Sequence, residues 1–191
     1  MAFLSRSVIE SMGFAYIGSN VLISDRASFY GINRIKIGNN VRIDDFCVLS
    51  AGVGGIEIGN YVHIAIYTSL IGGGKISISD FCNLSSRVSI YSSNDDYSGT
   101  TLTNPMVAEK FKKVTHADVS LHKHVIVGCG SVILPGVTLS VGVAVGALSL
   151  VNKNCDDFCI YAGTPAIKIK VRKSGLLELE QQFIQGYVQH Q

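Results

Sequence analysis

An aliphatic residue returns at every sixth position between residues 121 and 151 of this chain. The series is Leu121, Val127, Ile133, Leu139, Val145 and Val151. Amphipathic helices space apolar residues by three and four, and strands by two, so a strict period of six fits neither element alone. A short strand and turn with one inward aliphatic residue cannot bury its apolar face by itself, whereas stacked units form a continuous core. The sequence therefore predicts an all-β solenoid, a parallel β-helix.

The same period begins at Ile17 and is grouped in threes. Each group opens 20 or 21 residues after the previous one, in the series Ile17, Ile23, Phe29; Ile37, Ile43, Leu49; Ile58, Ile64, Leu70; and Ile78, Leu84, Ile90. Three hexapeptides make one triangular coil, and the extra residues 52–55 and 72–74 bulge at one corner. The segment Asp-Asp-Phe-Cys at 44–47 is echoed by Ser-Asp-Phe-Cys at 79–82, which supports this register. We expect about six coils.

Three segments depart from the period. Residues 1–16 precede it and are expected to cap the solenoid with a short helix. Residues 91–118 interrupt it and are predicted to form a polar loop that projects from the β-helix of residues 17–160. A polar loop of this length in a compact domain is usually functional, and a surface loop without a role is the alternative. Residues 161–191 are expected to form a turn, a basic segment and a short amphipathic α-helix, Leu176 to Val188.

The composition bears on partners and compartment. Hydrophobic residues make up 47% of the chain and charged residues 16%, so part of the surface is expected to be covered in an oligomer. A net charge of +2, without a basic tract interleaved with aromatic residues, argues against nucleic-acid binding. No apolar run is long enough to predict a membrane span. Five cysteines without paired CxxC spacing indicate free thiols in a reducing compartment, and hence a cytoplasmic protein.

The hexapeptide period, the loop that projects from a middle coil, and the segments Leu134-Pro-Gly-Val137 and Ala162-Gly-Thr-Pro165 together resemble one enzyme family. The sequence is similar to the left-handed β-helix (hexapeptide-repeat) acyltransferases over nearly its whole length. The branch it resembles comprises sugar and galactoside O-acetyltransferases and the surface-polysaccharide acetyltransferases akin to them. The resemblance implies a left-handed parallel β-helix and a homotrimer. It also implies acetyl-CoA as the donor, lying along the groove between coils, and a loop that closes over the acceptor.

For function, the resemblance implies an acetyl-CoA-dependent O-acetyltransferase acting on a hydroxyl of a sugar or a surface-polysaccharide precursor. One alternative is an N-acetyltransferase of an amino sugar or sugar nucleotide. Such enzymes usually carry an added nucleotide-binding domain, for which 191 residues leave no room. The other alternative is a non-catalytic β-helix that serves as an assembly module. The sequence does not identify the acceptor.

The family's chemistry needs a base that removes a proton from the acceptor as it attacks the thioester. In many relatives this base is a histidine at the start of the loop, where this sequence has Asp95. We expect His63, one coil below, to supply the imidazole across a subunit interface, with Asp95 orienting the ring. A plain interface histidine is the alternative at this position. His116, at the return of the loop, is the second candidate base.

Small and basic residues are the candidates for binding the donor. Gly128 and Ala147 are expected to let a pantetheine arm lie close to the coils, although turn geometry alone would also favour glycine. Four basic residues are expected to pair with the phosphates of CoA, or else simply to form a soluble end of the solenoid: Lys153, Lys168, Lys170 and Arg172.

Three remaining histidines receive no catalytic role. A metal site built from His122 and His124 with His116 lacks a clear fourth ligand. We therefore expect no metal site, with His122 and His124 on a solvated surface. His190, in the terminal tail, is assigned no function.

Overall fold

The computed structural model describes residues 2–188, and the strands in this range form the three faces of a triangular prism. Strands are numbered in chain order. The first face contains β1 (Tyr16–Ile17), β4 (Ile35–Ile37), β7 (Ile56–Ile58), β10 (Ile76–Ile78), β15 (Val119–Leu121) and β18 (Thr138–Leu139). The second contains β2 (Leu22–Ile23), β5 (Arg42–Ile43), β8 (His63–Ile64), β11 (Asn83–Leu84), β16 (Ile126–Val127), β19 (Ala144–Val145), β21 (Cys159–Gly163) and β22 (Ala166–Val171).

The third face contains β3 (Ser28–Tyr30), β6 (Val48–Ala51), β9 (Ser69–Gly72), β12 (Ser89–Tyr91), β17 (Val132–Ile133) and β20 (Leu150–Val151). Neighbouring strands in all three faces are parallel, except that β22 folds back antiparallel on β21. The described range thus holds six complete coils and the start of a seventh. The predicted fold class, a parallel β-solenoid with a projecting loop and a short C-terminal helix, is confirmed.

The period-six aliphatic residues form the core. On the second face Ile43, Ile64, Leu84 and Val127 lie directly above one another, and each is 0% exposed. Burial of one such side chain contributes roughly 1.5–3 kcal/mol. Because every coil adds a residue to the same column, each coil is stabilised by the coils above and below it.

The C-terminal helix α2, Leu176–Val188, packs on the corner between the first and second faces. At this corner Tyr61 and Phe81 stack with ring centroids 4.9 Å apart, and Phe183 of α2 meets both rings edge-on. Tyr61 and Phe81 have φ values of 55° and 59°, in the left-handed region that bulky residues rarely adopt. Stacking between successive coils offsets this backbone cost and provides an aromatic surface for the helix.

An ion-pair cluster fixes α2 to the same corner. Glu180 Oε2 lies 2.7 Å from His124 Nε2, and Glu180 Oε1 accepts a 2.6 Å hydrogen bond from Lys123 Nζ. His124 is 8% exposed and stacks on Phe81. The expectation of a solvated surface is therefore wrong for His124, because the helix covers it, whereas His122 is exposed.

Acid is expected to loosen this helix. The hydrogen bond from Lys123, with a smaller contribution from His124, outweighs burial and lowers the pKa of Glu180 from its ordinary 4.5. A carboxylate with a lowered folded-state pKa stabilises the fold above its unfolded pKa, and this contribution is lost as the pH falls through the folded value. Protection of residues 176–186 against hydrogen exchange, relative to the intrinsic rate at each pH, should therefore fall as the pH drops below about 4.5. Glu180→Gln should remove most of that pH dependence, and equal acid sensitivity in both proteins would contradict this.

A short cap precedes the first coil. Helix α1, Arg6–Ser11, buries Ile9, and its N-cap Ser5 accepts a hydrogen bond from the N–H of Val8. Neither α1 nor α2, as described, is long and apolar enough to cross a membrane. His190 lies outside the described residues.

The cysteines differ in exposure. Cys129 is exposed, and the other four are buried free thiols: Cys47, Cys82, Cys155 and Cys159. Burial raises the pKa of Cys47 to about 11 and that of Cys82 to about 12, so both stay protonated and act as small core residues.

Candidate functional site

The projecting loop leaves and re-enters the prism at one corner, between the third and first faces. Ser92, where the loop begins, is buried, and its carbonyl oxygen accepts a 3.1 Å hydrogen bond from the N–H of Ala117, where the loop ends. The two ends of the loop therefore lie side by side. One 3₁₀ turn, Glu109–Phe111, lies within it.

A short antiparallel ladder closes the neck of the loop. Strand β13, Ser93–Asn94, pairs with β14, Thr115–His116. His116 Nδ1 lies 2.7 Å from Ser93 Oγ, and the same hydroxyl accepts a 2.6 Å hydrogen bond from the N–H of Gly73. The His116 ring covers Gly73 so closely that a Cβ there would lie 2.6 Å from it. His116, the second candidate base, thus holds the neck of the loop to the coil below.

Two adjacent aspartates follow the neck, and their surroundings differ. Asp96 accepts five hydrogen bonds from backbone and hydroxyl groups of Ser98, Thr100 and Thr101. These bonds, that of the Ser98 hydroxyl first, lower the pKa of Asp96, so its carboxylate organises the loop and stays ionised. Asp95 is exposed, and its carboxylate has no hydrogen-bond or ion-pair partner within residues 2–188. It is available to a ligand.

A cavity of about 440 Å³ opens beside Asp95 at the root of the loop. It is lined by Tyr91, Ser93, Asn94, Asp95, Tyr97, Val132 and Leu134. The loop supplies carboxylate, amide and hydroxyl groups, whereas Val132 and Leu134 supply an aliphatic side. Its size lies in the range of small-molecule sites, so a substrate with both polar and apolar parts fits it.

His63 lies on the outer surface of the second face, in a row with Arg42 below and Asn83 above. Its Nε2 is 2.9 Å from Asp44 Oδ2, and its Nδ1 is 3.2 Å from Asn83 Oδ1. Asp44 is 6% exposed and accepts a further 2.7 Å hydrogen bond from Arg42 Nε. Burial acts to raise the pKa of Asp44, but the bonds from Arg42 and His63 outweigh it, so this pKa is lowered. The His63 ring is therefore held in one orientation.

The two residues predicted as a catalytic pair are apart within one chain. His63 belongs to β8 on the second face, and Asp95 follows β12 at the far edge of the third face. The carboxylate that His63 contacts in its own chain is Asp44, which sequence analysis did not single out. Asp44 precedes His63 by 19 residues, close to the length of one coil, and that spacing was the available signal. A contact between His63 and Asp95 needs two subunits and stays a prediction.

The small residues predicted to bind the donor meet at a corner. A Cβ on Gly128 would lie 2.5 Å from the backbone nitrogen of Ala147 in the next coil. Close contact between coils therefore already requires glycine at position 128, and binding of a pantetheine arm to these two residues stays a prediction.

The predicted phosphate ligands lie toward the end of the solenoid. Lys153 and Lys170 are exposed, and Lys168 Nζ lies 3.3 Å from Asp156 Oδ2. The Arg172 guanidinium donates 2.9 Å hydrogen bonds to the carbonyls of His124 and Gly142, which fixes the chain after β22 against the coils. Contacts with CoA phosphates stay a prediction for all four. Among the described residues, no group of three His, Cys, Asp or Glu side chains could hold a metal ion.

No model of a known protein family matches the sequence. Individual proteins match it along nearly their whole length. The chain is 55% identical over 183 residues to dTDP-4-amino-4,6-dideoxy-D-glucose acyltransferase from Escherichia coli, covering 96% of this chain and 95% of that protein. A hexapeptide-repeat acetyltransferase from Vibrio cholerae has the same fold, with a TM-score of 0.60 at 17% identity over 88% of this chain and 80% of its own. This chain belongs to the hexapeptide-repeat acyltransferases.

Among the hexapeptide-repeat acyltransferases, the solved structures of one protein are much more similar to this chain. AntD, an N-acyltransferase from Bacillus cereus, matches with a TM-score of 0.93 at 47% identity, and the match covers 97% of each chain. AntD was crystallised with dTDP and 3-hydroxybutyryl-CoA, and two of its variants with dTDP-4-amino-4,6-dideoxyglucose and CoA.

These relatives correct the expected acceptor. The prediction of an O-acetyltransferase is wrong, because the E. coli relative acts on an amino sugar and AntD is an N-acyltransferase. The alternative, transfer to an amine, is better supported. The expectation of an added nucleotide-binding domain counted against this alternative, but 95% of the E. coli protein aligns with this chain, so that relative does not carry a large added domain.

Proposed function

We propose that this chain is an N-acyltransferase that moves an acyl group from acyl-CoA to the amine of dTDP-4-amino-4,6-dideoxyglucose, in the cytoplasm. The E. coli relative, at 55% identity, supports the acceptor, and the CoA and 3-hydroxybutyryl-CoA in AntD structures support the donor. The observation that carries the proposal is the unpartnered carboxylate of Asp95 beside the 440 Å³ cavity, in a chain that amine acyltransferases match along nearly their whole length.

Asp95 suits an amine acceptor. A carboxylate, whose ordinary pKa is near 4, is a poor base for a sugar hydroxyl. An amine is nucleophilic without prior deprotonation once it is uncharged, and its nitrogen becomes positively charged and strongly acidic as it attacks the thioester. Asp95 takes that proton while the carbon–nitrogen bond forms. The carbon–sulfur bond then breaks, and the thiolate of CoA leaves with the proton.

The structures of AntD variants support a functional role for a second residue. They were solved for variants of one serine and of an aspartate ten residues after it. Here the pairs Ser85 with Asp95 and Ser86 with Asp96 have this spacing. The Asp96 carboxylate is occupied by hydrogen bonds within the loop, which favours the first pair. We assign the Ser85 hydroxyl as a hydrogen-bond donor to the thioester oxygen as negative charge develops there.

One site can include both residues if two subunits share it. Ser85 and Asp95 lie at opposite ends of β12, and the extended residues 88–92 between them span roughly 15 Å. Ser85 lies near the edge of the third face that borders the second face. His63 lies on that neighbouring second face. We propose a homotrimer in which the Ser85 and His63 side of one subunit faces Asp95 of the next. Apolar side chains such as Val53 and Met106, each 93% exposed in the single chain, are consistent with such assembly.

Mixed trimers are expected to recover activity that neither variant has alone. Ser85→Ala and Asp95→Asn each remove one proposed role from one side of every shared site, so each homotrimer should be slow. In a trimer that contains both variants, some interfaces pair an intact Ser85 with an intact Asp95 and should work normally. The measurement is thiol release after co-expression, with mixed trimers verified by native mass spectrometry. Mixed trimers no more active than their parents would show that these residues do not share an interface site.

Thiol release from acetyl-CoA with two matched acceptors tests the proposed function. dTDP-4-amino-4,6-dideoxyglucose should be converted to an amide. The analogue with a hydroxyl in place of the amine should not react. An ester product from the analogue, or no turnover of the amine with any short acyl-CoA, would refute the proposal.

A further inference from the structure

We infer that the aliphatic side of the cavity, formed by Val132 and Leu134, selects the acyl group, and that Leu134 limits the length of the chain that is transferred. This inference rests on the proposed function, because it names the donors that the same site accepts. It assigns Leu134 a role in specificity, separate from the proton transfer at Asp95.

The aliphatic side faces the cavity because of strand alternation. Successive residues of a strand point to opposite sides, and Ile133, between the two, is 0% exposed inside the core. Val132 and Leu134 therefore point outward, where both are half-buried beside the cavity. Neither side chain belongs to the described core or packs against it, so both can contact a bound apolar group.

The coil below differs at the equivalent position. Val132 pairs with Ser89 of β12 below it, and the hydroxyl of Ser89 lies 3.1 Å from that of Ser69 in the next coil down. At the position of Val132, the two coils below carry serine and the coil that follows the loop carries an aliphatic residue. This change occurs where the unpartnered carboxylate of Asp95 lines the same cavity.

The reacting groups limit which part of the substrates can meet these residues. The amine must lie at Asp95, and the thioester carbonyl must lie within bonding distance of the amine. The sugar carries hydroxyl groups and the nucleotide carries phosphates, so the hydrocarbon chain of the acyl group is the least polar part next to the carbonyl. A cavity of about 440 Å³ that also admits the amine end of a sugar leaves room for a short chain. We expect acyl groups of two to about four carbons.

The experiment is a donor profile. kcat/KM is measured with acetyl-, propionyl-, butyryl- and hexanoyl-CoA at saturating dTDP-4-amino-4,6-dideoxyglucose. The wild-type chain should lose activity beyond butyryl-CoA. Leu134→Ala should raise the ratio of hexanoyl- to acetyl-transfer by roughly tenfold or more, since apolar pockets discriminate single methylenes by about 10–200-fold. Leu134→Phe should shift the preference toward acetyl-CoA.

A matched control is Leu150→Ala. Leu150 points outward on the same face, pairs with Val132 and lies outside the cavity lining, so this variant should keep the wild-type profile. Thermal melts verify folding, and if Leu134→Ala does not fold, Leu134→Val provides the widened cavity instead.

The outcomes are distinct. Turnover by the wild-type chain with an unchanged profile in the Leu134 variants would overturn this inference and leave the proposed function standing. A raised KM for the amino sugar with the same donor profile would also overturn it, because the aliphatic side would then hold the methyl group of the acceptor. No wild-type turnover with any donor would overturn the proposed function and this inference together.

Discussion

Asp95→Asn is expected to lower kcat for amine acylation by roughly 10²–10⁴-fold, the loss typical when a proton acceptor is removed. The amide has nearly the same shape as the carboxylate but cannot take the proton from the attacking nitrogen. The loop should keep its conformation, because its internal hydrogen bonds converge on Asp96. The KM for acyl-CoA should therefore change little. Steady-state thiol release gives both constants.

The pH profile separates this role from a structural one. As the pH rises, solvent bases take the proton more readily, so the deficit of Asp95→Asn relative to wild type should shrink. Asp25→Asn, which removes the same charge from an exposed position in the first coil, is the matched control and should leave kcat unchanged. Near-normal turnover by Asp95→Asn at neutral pH would exclude Asp95 as the base.

Leu84→Ala is expected to destabilise the solenoid by about 2–5 kcal/mol, the range for large-to-small changes in a packed core. Leu84 is 0% exposed and lies between Ile64 and Val127 in the strands below and above it. Neither neighbour can move to fill the space, because each is held by its own strand pairing. Denaturant unfolding measures the loss, at a fixed protein concentration because the proposed trimer would make stability depend on concentration.

Leu179→Ala provides the comparison for that measurement. Leu179 lies on α2, away from the proposed subunit interface, and is 64% exposed, so its truncation should change the free energy of unfolding by no more than about 0.5 kcal/mol. A loss of similar size in both variants would mean that the inward column does not dominate the stability of the coils.

The fold could be predicted from the sequence because its cause is local and repeated. One inward aliphatic residue per hexapeptide, as in Ile43, Ile64 and Leu84, sets the coil and its register at once. The position of His124 could not be predicted in this way. Its burial depends on Glu180 and Phe183 of α2, more than fifty residues later in the chain, and the hexapeptide period carries no information about that helix.

The acceptor was predicted wrongly, and the interpretation of Asp95 depended on that prediction. Asp95 was interpreted as the orienting partner of a histidine base, on the assumption that the acceptor is a hydroxyl. A carboxylate at this position agrees better with an amine, which needs a weaker base. Domains that bind dinucleotides or mononucleotides have recognisable sequence motifs, but a protein that binds a nucleotide on the side of a solenoid need not have such a motif. For that reason a sequence without such a motif can still belong to an enzyme that acts on a nucleotide-linked substrate.

The arrangement around His63 shows a further limit. Asp44 and Asn83 belong to the coils on either side of His63, and the hydrogen bonds among them cross from coil to coil. A sequence pattern fixes which residues share a face, but the choice of hydrogen-bond partner depends on side-chain direction within that face. The same limit applies to the cavity, whose lining combines loop residues with Leu134, about forty positions after Asn94.

The ends of the projecting loop have a consequence for how such enzymes diversify. Because Ser92 and Ala117 are hydrogen-bonded neighbours, a loop of any length can begin and end there while every coil keeps its register. The loop can thus be replaced or shortened without a change in the coils. We therefore expect changes of acceptor to come from exchange of this loop, and changes of donor from substitutions such as those proposed at Leu134.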